Sequence, residues 1–140
     1  TLEIPVLGIN MPIVGVPQTG DSWDVTWLGN SAGWLEGSAF PTWAGNTLLT
    51  GHVWDAQNRP GPFANLKNLK YGDKVNIRAW GSVYTYEVRE SELVLANDLK
   101  SVLKHEEYSW VTLVTCESYN SIKENYRYRR VVRAVLISVK

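Results

Sequence analysis

The chain holds one cysteine and two histidines. A single cysteine has no partner for an internal disulfide. Cys116 is therefore either a small buried hydrophobe, which composition alone favours, or a thiol kept for chemistry. It closes the β-branched run Trp110-Val111-Thr112-Leu113-Val114-Thr115, and the polar residues Glu117-Ser118-Tyr119-Asn120 follow it. A thiol at a strand end can face a cleft instead of a core. Its nucleophilic chemistry needs a neighbour that removes or stabilises the proton. His52 is the candidate, because it follows Gly51 at the end of another apolar run. Two strand ends on one rim of a barrel can bring such side chains together. His105, in Lys104-His105-Glu106-Glu107, reads as solvated surface. Acyl transfer also builds an oxyanion, which a fixed cation or N–H donors must stabilise. Arg129 and Arg130 open the last apolar strand, and alternation sends them to opposite faces. Only one can share a cleft with Cys116. The pattern leaves that choice open, and both also suit solvated strand-edge charges.

The elements that must position these residues are mostly strands. Leu2 to Ile9 alternates partly and contains Pro5, which suits an edge strand. Further strands are expected at 11–16, 23–27, 46–52, 75–80, 83–88, 90–95, 110–116 and 130–139, with a loop from Gly29 to Gly37. Gly81-Ser82 reads as a hairpin turn. Phe63, Leu66 and Leu69 recur at helical spacing, and Asp98 could cap a helical turn through Leu103. Short strands separated by turn signals point to a closed or nearly closed β-barrel. The irregular stretch from Pro17 to Asn46 suits a flap over a site.

Composition narrows the function. The 140 residues fit one domain, 1–140, with 44% hydrophobic and 20% charged residues, so general disorder is disfavoured. Fourteen basic side chains balance fourteen acidic ones, which gives no basic excess for nucleic acid. No run reaches the ~18 apolar residues of a membrane span. One cysteine and two distant histidines lack paired metal-ligand spacing, and no glycine-rich phosphate loop or calcium loop is present. No metal or cofactor is expected. Seven tryptophans are many for this length. They suit the edges of a β-core, or a surface that binds sugar or peptide.

Several runs resemble the sortase family of cysteine transpeptidases. Thr112-Leu113-Val114-Thr115-Cys116 is similar to the family's TLxTC signature. Thr47-Leu48-Leu49-Thr50-Gly51-His52 is similar to its strand ending in Gly-His, and Phe63-Ala64-Asn65-Leu66 with Gly72-Asp73-Lys74-Val75 to the stretch between. Arg129-Arg130-Val131-Val132-Arg133 resembles the strand carrying the family's arginine, and Ile4 to Val14 its first strands. The resemblance covers nearly the whole chain, and it is the order of the pieces that is specific.

The resemblance implies an eight-stranded β-barrel with a few short helices. It makes Cys116 the nucleophile, His52 the acid/base and Arg129 the arginine, with Thr115 and Thr50 beside the substrate. It implies cleavage of an LPxTG-like sorting signal between Thr and Gly through a thioacyl-enzyme. Transfer follows to an amine of a peptidoglycan precursor or a pilin lysine. The expected place of action is the extracytoplasmic face of the bacterial membrane, with any anchor outside this chain. The Trp-rich stretch from Trp23 to Trp43 looks closer to the types grouped as D, E or F. Ordinary pKa values are near ~8.5 for a thiol and ~6.5 for an imidazole in solvent, so the rate should peak between them. The competing reading is a non-enzymatic, Trp-rich β-barrel that binds peptide or glycan.

Overall fold

The computed structural model describes residues 1–20, 22–25, 27–53, 59–95, 108–116 and 128–140. Among these residues eleven strands appear in chain order. They are β1 (Leu2–Ile4), β2 (Ile9–Met11), β3 (Ile13–Val16), β4 (Gln18–Thr19), β5 (Ser22–Trp23), β6 (Ala32–Leu35), β7 (Gly45–His52), β8 (Lys74–Ala79), β9 (Ser82–Leu95), β10 (Ser109–Cys116) and β11 (Tyr128–Val139). Nine of them form one sheet in the order β2-β1-β8-β9-β11-β10-β7-β6-β3, and β4 pairs only with β5.

The strand count of this nearly closed barrel turns on Pro12. β2 and β3 lie at opposite ends of the sheet order but are separated in sequence by that one residue. Proline has no N–H to offer a ladder, so the strand changes partner there. Met11 pairs with Leu2 on one side, whereas Ile13 pairs with Ala32 on the other, and Ala32 N–H donates to the Pro12 carbonyl at 3.0 Å. Counted as one strand broken at Pro12, β2 and β3 bring the main sheet to the eight strands that the family resemblance implies. The fold is mainly β, as expected.

Several local expectations change. Leu2 to Ile9 is not one strand. A 3-10 turn at Pro5–Leu7 folds the chain back, and Gly8, in the left-handed region at φ 68°, lets β2 pair with β1. The Phe63–Leu69 helix shrinks to a 3-10 turn at Leu66–Asn68. The 23–27 strand is reduced to β5, and the expected 29–37 loop contains β6, which pairs with both β3 and β7. The Pro17–Asn46 stretch thus builds barrel wall and is no free flap. The Asp98–Leu103 turn and His105 lie outside the described residues.

Strand alternation sorts the side chains. Leu49, Val111, Leu113, Val132, Ala134, Val88 and Tyr86 fill the main core with Phe63 and Leu66, while Leu48, Val114 and Val131 form a second cluster with Leu35 and Val94. Burying such a side chain contributes about 1.5–3 kcal/mol. Arg133 is buried too, lying 4.5 Å over the Trp110 ring and donating from Nε to Thr112 Oγ1 at 3.4 Å.

The tryptophans divide. Trp23 and Trp34 are half-buried and hydrogen-bonded, which fits the core-edge reading. Trp43 and Trp80 are exposed and flank Phe40, with ring centroids 5.3 and 6.2 Å from it. Trp80 and Gly81 make the hairpin turn between β8 and β9, both at positive φ. At this end of the barrel Thr1 and Arg78 exchange backbone hydrogen bonds with each other, Arg78 faces Val83, and Val83 exchanges hydrogen bonds with Lys140.

Tyr86 gives a pH signature. Its ring is fully buried and its hydroxyl lies 3.3 Å from Ser109 Oγ. Burial raises its pKa, since a phenolate has lost its water there. In the unfolded chain the group titrates near ~10. Its contribution is therefore fully present below about pH 10 and is lost as pH rises toward the folded value. Stability against urea should fall above about pH 10, and Tyr86→Phe should flatten that fall relative to the parent.

Candidate active site

The centre of the site is a strand register. β7 and β10 run parallel and pair without interruption from Gly45–Ser109 to His52–Cys116. The two residues singled out by type alone are thus neighbours at the C-terminal ends of adjacent strands, about 4.8 Å apart in the pairing direction. Their sequence separation is bridged by this pairing. The Cys116 side chain lies outside the described residues; its backbone ends β10.

A tight backbone clamp holds His52. The imidazole is only 7% exposed, and its Nδ1 is buried without a hydrogen-bond partner. His52 is thus enclosed and is not the solvent-facing residue expected from the sequence. Phe63 N–H donates to the His52 carbonyl at 2.9 Å, and Gly61 N–H donates to the Val53 carbonyl at 2.6 Å. Gly61 lies so close that a Cβ there would stand 2.3 Å from the His52 carbonyl oxygen. The buried Phe63 ring packs against Gly51, where a Cβ would be 2.9 Å from it. The spacing in the sequence marks Phe63 only as a helix residue. A glycine-proline pair after the His52 strand is the signal that was present, but what it touches is set by the fold.

The arginines are placed by β10 and β11, which pair antiparallel from Trp110–Val135 to Val114–Val131. Carried past Val114, this register sets Thr115 opposite Arg130 and Cys116 opposite Arg129. By alternation Arg129 belongs with Val131, and Arg130 with the core-facing Val132. His52 follows Leu48 and Thr50 on the Val131 side. Arg129 Nη1 donates to the Thr115 carbonyl at 3.0 Å, and its Nε is buried and unpartnered. Arg130 donates from Nη1 to the exposed Ser91 Oγ at 3.3 Å, and its Nε is likewise buried and unpartnered.

Thr50 and Thr115, expected beside the substrate, each make a hydrogen bond within the protein. Both are buried, at 5% and 6% exposure. Thr50 Oγ1 donates to the Val114 carbonyl at 2.9 Å, which ties β7 to β10. Thr115 Oγ1 accepts the Arg130 N–H at 3.0 Å. Both hydroxyls are engaged inside the protein. Among the described residues no group of acidic, histidine and cysteine side chains could hold a metal.

Known proteins of similar sequence and shape agree with one another. The family model of the sortase domain matches residues 2–137. Sortase A from Corynebacterium diphtheriae, a lid mutant, is 30% identical at a TM-score of 0.77, over 98% of this chain and 68% of that one. A second structure of the same enzyme is 28% identical at 0.77, over 98% of this chain but only 59% of the other. Sortase C-1 from Actinomyces oris is 26% identical at 0.77, over 98% and 72%. This chain thus spans about three-fifths to under three-quarters of their lengths. Comparison with curated protein sequences gives no match. With its domain matched almost end to end, the chain belongs to the sortase family, whose membership implies a cysteine transpeptidase.

Proposed function

We propose that this chain is the catalytic domain of a transpeptidase that cleaves an LPxTG-like sorting signal between Thr and Gly. The single observation that carries the reading is the His52–Cys116 pairing that ends the β7–β10 ladder. The imidazole takes the thiol proton. Cys116 Sγ then adds to the threonine carbonyl carbon, and the negative charge on the carbonyl oxygen is met by Arg129. Collapse of this intermediate breaks the C–N bond to glycine, and His52 returns the proton to the departing amine. A thioester on Cys116 remains. An incoming amine attacks it, gives its proton to His52 and leaves with the acyl group, which regenerates the thiol. With water in place of the amine, the same half-reactions are peptide hydrolysis.

The acceptor belongs to a cell-wall precursor or to a pilin lysine. One similar structure is described as a pilus-related sortase C of Group B Streptococcus, at 26% identity. The reaction takes place at the extracytoplasmic face of the bacterial membrane. No described helix is long and apolar enough to cross a membrane. The assignment to types D, E or F rests on the Trp23–Trp43 stretch alone.

The test is incubation with a panel of LPxTG-like peptides and an amine, read by mass spectrometry. The expected result is an acyl adduct on Cys116 that lacks the glycine side of the peptide, followed by transfer to the amine. No adduct and no cleaved peptide across the panel would leave the non-enzymatic peptide- or glycan-binding barrel as the better reading. In that case a thiol-reactive probe should label Cys116 equally in wild type and His52→Ala.

A further inference from the structure

The β10–β11 ladder stops at Val114–Val131, two residues before Cys116. Past that point Thr115 replaces the ladder with two bonds of its own. Its Oγ1 accepts the Arg130 backbone N–H at 3.0 Å, and its carbonyl accepts Arg129 Nη1 at 3.0 Å. One buried residue therefore holds two successive residues of the opposite strand, the first by its guanidinium and the second by its backbone.

We propose that Thr115 is a positioning residue that presents the Arg129 charge to the reacting carbonyl without neutralising it. The inference rests on the reading of Arg129 as the oxyanion partner. Arginine has several rotatable bonds, and an unheld guanidinium would lose entropy at the moment of reaction. A carboxylate partner would fix it but would also cancel its field. The Thr115 carbonyl is a neutral acceptor, so it orients the group and leaves the full positive charge. Among the described residues no carboxylate forms an ion pair with Arg129, whereas Arg78, Arg89 and Arg133 each have one. Arg129 Nε is buried and unpartnered, as is Arg130 Nε, so the Nη1 bond to the Thr115 carbonyl is what distinguishes Arg129. The hydroxyl acts on the same geometry from the other side. By taking the Arg130 N–H it fixes the β11 backbone, and with it the distance from the Arg129 Cα to the Thr115 carbonyl.

The test compares Thr115→Val, which keeps the shape and loses the hydroxyl, with Thr115→Ser, which keeps the hydroxyl. Thr115→Val should lower kcat about 10- to 100-fold with the peptide KM little changed, and Thr115→Ser should restore kcat to within about threefold. In an Arg129→Gln background, Thr115→Val should have no further effect on kcat, since both changes remove one device. Full additivity, an effect on KM alone, or wild-type kcat in Thr115→Val would overturn the proposal. Amide hydrogen exchange at Arg130 is read in parallel and needs no substrate. It should quicken about tenfold or more in Thr115→Val and return in Thr115→Ser, and unchanged exchange overturns the proposal. A wild-type protein that forms no acyl adduct would instead bring down the transpeptidase reading, and the arginine-presenting role with it.

Discussion

Replacing Arg129 by glutamine lowers kcat for transpeptidation about 10²- to 10³-fold, whereas Arg130→Gln leaves it within about threefold. The first figure is the usual cost of removing one oxyanion donor. The asymmetry follows from strand parity. β11 carries Arg129 on the same side as Val131, and the extended β10–β11 register sets it opposite Cys116. Arg130 is one position on, faces the other way and spends its guanidinium on the exposed Ser91. Removing a bond to an exposed hydroxyl changes little. Steady-state kinetics with one sorting peptide and one amine decide it. Equal losses in the two variants, or the larger loss in Arg130→Gln, would reverse the assignment of the two arginines.

Gly61→Ala should be as damaging, although residue 61 carries no functional group. A methyl there would lie 2.3 Å from the His52 carbonyl oxygen and 2.8 Å from its carbonyl carbon. Those atoms are backbone, so no side-chain rotation relieves the clash. Either the 59–63 segment lifts, taking the Phe63 N–H from His52 and the Phe63 ring from Gly51, or the end of β7 moves. Each displaces His52 from Cys116, and a shift of about 1 Å in a reacting pair costs roughly 10²-fold. Overpacking of this kind also costs about 1–3 kcal/mol of stability. Gly72→Ala is the control. Its Cβ would meet nothing within 4 Å, but its φ is +93°, so it should cost stability of about 1 kcal/mol or more while kcat holds. Thermal unfolding and kcat, measured together, separate steric from conformational cost. Wild-type kcat in Gly61→Ala would show that the clamp has no bearing on His52.

The chemistry-bearing residues were legible because of where their types fall. Cys116 and His52 each end a β-branched or apolar run, and the final strand opens on two arginines. Their relation was not legible. The β7–β10 pairing is parallel and joins residues distant in sequence, so no local pattern encodes it. Local pattern leaves the choice between Arg129 and Arg130 open for the same reason. Alternation says the two side chains diverge, but only the register with β10 says which one lies opposite Cys116. The strand count was legible only through the family resemblance, because Pro12 reads locally as a break and not as a change of partner. β6 was missed because Ala32-Gly33-Trp34-Leu35 is short and set among glycines. Gly33 is needed there, since a Cβ would stand 2.9 Å from Leu28 and Val16 methyl groups. The buried His52 could not be foreseen, because Phe63 and Gly61 cover it from a separate segment.

The row Thr1, Arg78, Val83 and Lys140 has a consequence for how the domain can be mounted. It brings the first and last residues to one end of the barrel, three strand spacings or roughly 14 Å apart. β9 and β11 extend from that end to Val94 and Arg129, so the rim that holds His52 and Arg129 is at the opposite end. A tether or fusion partner joined to either terminus therefore departs from the far side of the molecule. Immobilising the domain through its ends should leave the His52–Arg129 rim open to a peptide arriving from the other direction.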